Sequence, residues 1–210
     1  MKIHKHITRL ALGFLLALGV LTNASANEHK RVLIVGDSIS AAYGLSVKSG
    51  WVTLLEARMK TAAPAYTVVN ASISGETTAG GAARIAKLIA THKPTVVVIE
   101  LGGNDALRGL PIAQTQANFV KMIQASQKSA ARVVIVPMRL PPNFGGDYVQ
   151  QFEALYPKLA KQFKTGMSAF ILKDFADKPA LFQADKIHPT AAAQPLMLDA
   201  VWPAIRAELK

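Results

Sequence analysis

Apolar residues recur along this chain in two alternating patterns. Short unbroken runs occupy Arg31–Val35, Tyr66–Asn70, Thr95–Leu101 and Arg132–Pro137, with a weaker one at Ser168–Leu172. Runs such as VVVIEL and RVVIVP do not alternate in polarity, which marks strands covered on both faces, as in a parallel sheet. Between them the period lengthens. Trp51, Leu54, Leu55, Arg58 and Met59 fall on i, i+3, i+4, i+7 and i+8 spacing. Ile85, Leu88 and Ile89 repeat that stripe, as do Phe119, Val120 and Ile123, and then Leu155, Leu159, Gln162 and Phe163. Each reads as a helix with one apolar face. A last helix is expected from Ala191 to Leu209, interrupted or reshaped near Pro195 and Pro203. Strand and helix thus alternate from end to end. The pattern predicts an α/β domain, a three-layer α/β/α sandwich around a parallel five-stranded sheet in flavodoxin-like order.

The first residues follow neither pattern. Lys2, His4, Lys5, His6 and Arg9 form a basic head, Leu10–Leu21 is apolar, and Ala24-Ser25-Ala26 supplies small residues at a cleavage site. This is the layout of a secretory signal peptide over 1–26, with the mature domain over 27–210 and the protein exported to the periplasm or secreted. A membrane anchor is the alternative, but spanning a bilayer takes ~20 apolar residues. With no cysteine in the chain, a disulfide scaffold and thiolate metal sites are excluded, and the core must hold the fold alone. Lys2, Lys5 and Arg9 take three of the formal +11, leaving +8 over 27–210. No dense Lys/Arg block or basic helix interleaved with aromatics is present, so nucleic acid is not an expected partner; the surplus reads first as a solvated basic surface and second as a mild preference for transient contact with an anionic membrane surface. No heptad or β-edge signal argues for an oligomer, and a monomer is expected.

Open α/β sheets bind ligands outside the carboxyl ends of their strands. Polar, turn-forming residues gather there. Gly36-Asp37-Ser38 follows the first run and NASISGET the second, from Asn70. Gly102-Gly103-Asn104-Asp105 follows the third, and Asp185-Lys186-Ile187-His188-Pro189 precedes the last helix. The parts suit acyl transfer, which needs a nucleophile, a base, a group to orient the base and donors for an oxyanion. Ser38 is the candidate nucleophile, His188 the base and Asp185 the group that holds the imidazole. The backbone N–H groups of Ser38 and Gly75 and the amide of Asn104 are the candidate oxyanion donors.

These four blocks, GDS at 36–38, Gly75, GGND at 102–105 and DKIHP at 185–189, resemble in order those of the SGNH (GDSL) hydrolases. The stretches NASISGETT, ELGGNDALRG and RLPPNFG lengthen the resemblance. It implies a serine hydrolase of the SGNH fold with Ser38, Asp185 and His188 as triad and Ser38, Gly75 and Asn104 as oxyanion hole. It also implies ester, thioester or lysophospholipid substrates and no metal or organic cofactor. Lys186 departs from the glycine common in relatives, so the loop is expected to differ locally, since a bulky residue resists φ > 0.

Taken singly, each motif has a plainer reading. Asp37 is a helix cap or turn residue, Gly75 a turn glycine, and Asn104-Asp105 an Asx turn. His29 and His92 read as solvated, which leaves little for a multi-histidine metal centre. Apolar Leu107, Leu110, Leu140, Pro141 and Phe144 either pack beneath their loops or line an acyl-chain groove. Arg108 and Arg139 are candidates to meet a phosphate. Three rivals stay open: a carbohydrate O-acetyl esterase, which needs a small polar pocket, a non-catalytic acyl-chain carrier, which leaves Ser38, Asp185 and His188 without a task, and a metal-dependent hydrolase, which activity undiminished in EDTA would dismiss.

Overall fold

The structure, a computed structural model, describes residues 30–210; the 1–26 segment lies outside them. Five parallel strands run β1 (Lys30–Gly36), β2 (Tyr66–Asn70), β3 (Val96–Glu100), β4 (Arg132–Ile135) and β5 (Gly166–Met167), in the spatial order β2-β1-β3-β4-β5. Helices α1 (Trp51–Ala62), α2 (Thr78–His92), α3 (Gly103–Leu107), α4 (Ile112–Lys128) and α5 (Gly146–Phe163) lie between them, and α6 (Gln194–Ala207) follows β5. The expected flavodoxin-like order is what forms.

The central strands are apolar on both faces because both are covered. Val32–Val35 and Val96–Ile99 have no exposed surface. Helices α2, α4 and α5 pack in sequence against one another, while α1 and α6 pair. Trp51, Leu55 and Met59 of α1 and Phe119, Met122 and Ile123 of α4 are fully buried. Burying one such side chain contributes roughly 1.5–3 kcal/mol. The buried Gln194 joins α6 to α1 by accepting the Trp51 N–H at 2.9 Å, one of the four donors a helix start leaves open.

Two expectations change. The fifth strand is not Ser168–Leu172 but the two residues before it, paired as Val134↔Gly166 and Ile135↔Met167. Ser168 gives one more rung, its N–H donating to the Ile135 carbonyl at 3.0 Å. The chain then winds into turns, and Ile171, Leu172 and Phe175 are buried from there. The apolar signal in 168–172 therefore records a turn folded into the core. The last helix begins at Gln194 after a 3-10 turn at Ala191–Ala193, and neither proline interrupts it. Pro195 lies in its first turn, where no intrahelical N–H bond is due. Pro203 is inside it but exposed, so solvent can serve the carbonyl its missing N–H leaves unmatched.

Candidate active site

From β1 the chain crosses to β2 on one side, and β3 returns to the other side of β1, so the strand order reverses between β1 and β3. Ser38 follows β1 and Asn104 follows β3; both stand at that switch point, where loops diverge and leave a crevice. Gly36 ends β1 because a Cβ there would lie 2.8 Å from Glu100 Oε2 and from Ser40. Asp37 then turns the chain by accepting the Ile39 N–H at 3.0 Å.

His188, 150 residues away, reaches the same point. Its Nε2 lies 2.8 Å from Ser38 Oγ and its Nδ1 lies 2.7 Å from Asp185 Oδ2. A carboxylate at Nδ1 selects the tautomer with hydrogen on Nδ1, so Nε2 accepts from the Ser38 hydroxyl. The other Asp185 oxygen accepts the N–H groups of Ile187 (2.9 Å) and His188 (3.0 Å). The His188 backbone N–H, then its ring, then the Ile187 N–H hold the Asp185 carboxyl down at about 2, so it is an anion at neutral pH. Lys186 adopts φ +59, and the turn forms with the lysine in the left-handed region. The two bonds to Asp185, and the Lys186 N–H to the Gln183 carbonyl at 2.9 Å, hold it there.

The candidate oxyanion donors lie on three loops. The N–H groups of Ser38 and Gly75 meet no acceptor among the described residues. Gly75 has φ +78, a conformation glycine takes at no steric cost. Asn104 Nδ2 donates to Asp37 Oδ2 and to the Glu76 carbonyl, both at 3.0 Å, so both its hydrogens are engaged.

Behind these groups lie three buried acids. Burial pushes Asp37 up to about 6 against the bonds from Ile39 and Asn104. Burial, then the Asp37 charge, raises Glu100 further toward its neutral form; its Oε2 accepts the Ser40 hydroxyl at 2.7 Å. Asp105, 1 % exposed, accepts the N–H and hydroxyl of Thr78 at 2.8 and 2.5 Å. It serves the start of α2, both its oxygens accepting from Thr78.

Sequence reasoning missed several neighbours. Tyr43 leans against His188 with ring centroids 4.5 Å apart and planes tilted by 41°, and Gln183 Nε2 donates to the Tyr43 and Pro189 carbonyls. Nothing in the local pattern marks Tyr43. Glu100 had a signal, a lone acid ending the strand VVVIE. Of the apolar candidates, Leu107 and Pro141 are exposed, and Leu110 and Phe144 are half-buried. Leu140 is 8 % exposed and belongs to the core, so it supports its loop instead of forming a wall. Arg139 extends over the Phe170 ring, and Arg108 turns to the Gly75 carbonyl at 3.1 Å. Concave surfaces of about 320 and 670 Å³ lie at the opposite, amino edge of the sheet and contain none of the candidate residues.

A parallel α/β sheet with hydroxyl, imidazole and carboxylate in line at its switch point defines, with its relatives, a carboxylic ester hydrolase. Within that class the chain belongs to the GDSL-like Lipase/Acylhydrolase family, whose model matches residues 34–195. It is 47 % identical to Esterase TesA of Pseudomonas aeruginosa, over 94 % of this chain and 97 % of that one. It is 38 % identical to thioesterase 1/protease 1/lysophospholipase L1 of Escherichia coli, over 92 % of this chain and 91 % of that one. Among solved structures, the psychrotrophic esterase EstA of Pseudoalteromonas superposes with a TM-score of 0.81 at 36 % identity, over 85 % of this chain and 97 % of that one.

Proposed function

We propose that the protein is an exported serine hydrolase that cleaves acyl esters, acyl thioesters and lysophospholipids in the periplasm through an acyl-serine intermediate. The observation that carries this reading is the continuous line Ser38 Oγ, His188 Nε2, His188 Nδ1, Asp185 Oδ2, with contacts of 2.8 and 2.7 Å. Ser38 Oγ attacks the acyl carbonyl while His188 Nε2 takes its proton. Asp185, ionised at working pH, holds the Nδ1–H and stabilises the imidazolium. The oxygen that becomes negative accepts the free N–H groups of Ser38 and Gly75 and one hydrogen of Asn104. Asn104 keeps Asp37 and exchanges the Glu76 carbonyl for the oxyanion. His188 returns the proton to the departing alkoxide or thiolate, and the acyl group stays on Ser38. Water, deprotonated by the same nitrogen, attacks the acyl-serine; carboxylate leaves and the hydroxyl is restored.

The related EstA is described as inhibited by monoethylphosphonate, a tetrahedral phosphorus species with the shape and charge of this intermediate. Exposed Leu107 and Pro141 and half-buried Phe144 offer apolar surface on loops following adjacent strands. Each methylene covered there adds about 0.8 kcal/mol. The test is a fluorophosphonate probe read by mass spectrometry. The expected result is one adduct on Ser38, none in Ser38→Ala, and no turnover in that variant. Labelling that persists in Ser38→Ala, or an unlabelled but active wild type, would end the proposal.

A further inference from the structure

Asn104 and Arg108 stand one helical turn apart, joined by the Arg108 N–H donating to the Asn104 carbonyl at 3.3 Å. Their side chains reach consecutive carbonyls of another loop. Arg108 Nη2 donates to Gly75 O at 3.1 Å and Asn104 Nδ2 donates to Glu76 O at 3.0 Å. That loop is a four-residue turn, Ile73 to Glu76, closed by the Glu76 N–H donating to the Ile73 carbonyl at 3.1 Å. Gly75 is its third residue, and φ +78 is the signature of a type II turn.

The turn type decides which way the Gly75 N–H points. Types I and II differ by turning over the central peptide, here Ser74–Gly75, and the Gly75 N–H belongs to that peptide. The next peptide, Gly75–Glu76, is fixed at both ends, its N–H by Ile73 and its C=O by Arg108. The Glu76 side chain is anchored separately, its Oε2 accepting from Arg84 Nε at 2.6 Å. Among the described residues only Arg108 holds the Gly75 carbonyl, so it guards the torsions on which the direction of the Gly75 N–H depends.

We propose that Arg108 is a positioning residue of the oxyanion hole: by clamping the Gly75 carbonyl it keeps the turn in the form that presents the Gly75 N–H to the reacting oxygen. This rests on the reading that Gly75 is an oxyanion donor. It differs from a headgroup role for Arg108, since a positioned N–H acts on every ester alike.

The experiment compares Arg108→Met and Arg108→Lys with wild type on a neutral p-nitrophenyl ester and on a lysophospholipid of the same acyl length. Arg108→Met is expected to lower kcat about tenfold on both, the scale of one hydrogen bond from a charged donor, with KM changed less than twofold. Arg108→Lys keeps a donor and recovers part of the loss, and methylguanidinium added to Arg108→Met restores rate, which a merely structural loss would not allow. Phosphonylation of Ser38, which develops charge on the same oxygen, slows in proportion. An unchanged kcat in Arg108→Met, or a loss confined to the lysophospholipid and to KM, overturns the proposal. Gly75→Ala separates it from its premise. Alanine resists φ > 0 and favours the turned-over peptide, so a loss on the order of 10² is expected. A large loss there beside an unaffected Arg108→Met removes only the role of Arg108. A loss below tenfold in a folded Gly75→Ala removes Gly75 from the oxyanion hole and this inference with it.

Discussion

Replacing Asp37 by asparagine should stabilise the protein while slowing it. Asp37 is 2 % exposed beside Glu100, and its carboxyl is raised from 3.8 to about 6, chiefly by burial. A folded-state value above the unfolded one means that protonated Asp37 favours the native state. That stability is complete below pH ~4 and is lost as pH rises through about 6. A carboxyl moved that far disfavours the folded protein by on the order of 3 kcal/mol at pH 8, where it must ionise in place. Asparagine carries no charge and removes that penalty. It offers one acceptor oxygen where the carboxylate serves both the Ile39 N–H and Asn104 Nδ2, and the lost bond costs back about 1 kcal/mol. The net gain in Asp37→Asn is ~1–2 kcal/mol at pH 8, turning into a loss of about 1 kcal/mol near pH 4. Urea denaturation of both proteins at the two pH values measures this directly. Activity should fall about tenfold, because Asn104 loses the anion that orients it. A stability difference of the same sign and size at both pH values would refute the electrostatic account, as would a loss exceeding about 2 kcal/mol at pH 8.

Other expectations concern the remaining parts of the site. Asn104→Ala should lower kcat on the order of 10²–10³ with little change in KM, and steady-state kinetics showing less than tenfold would deny its amide an oxyanion role. Lys186→Gly relieves a left-handed lysine at φ +59; relief of ~1–2 kcal/mol less the glycine entropy of ~0.5–1 kcal/mol leaves a small gain. A thermal melt should show Tm rising by a few degrees, and a lower Tm would mean that the lysine side chain contributes stability of its own. A series of p-nitrophenyl esters from acetate to dodecanoate should show kcat/KM rising with chain length if Leu107, Pro141 and Phe144 contact the acyl chain. Preference for acetate would favour the O-acetyl esterase reading.

The amino-acid sequence by itself determined the layering and which strand ends carry chemistry. A strand covered on both faces excludes polar side chains, so VLIV and VVVI announce buried parallel strands without reference to anything distant. Ser38, Gly75 and Asn104 stood out for the complementary reason, as small or polar turn-forming residues after such runs, and Asp185 and His188 as a polar pair just before the last helix. Local pattern failed where partners are remote. A two-residue edge strand has too short an apolar signature to be seen, and the stronger signal beside it came from Ile171, Leu172 and Phe175 turning into the core. Tertiary structure alone decided that His188 meets Ser38 across 150 residues, that Asn104 leans on Asp37 and that Arg108 holds Gly75. It also decided that Leu140 is core and that Lys186 accepts a left-handed backbone. The physical reason is range: burial and periodicity act on neighbours along the chain, while hydrogen bonds and charge act on whatever the folded sheet brings within about 3 Å.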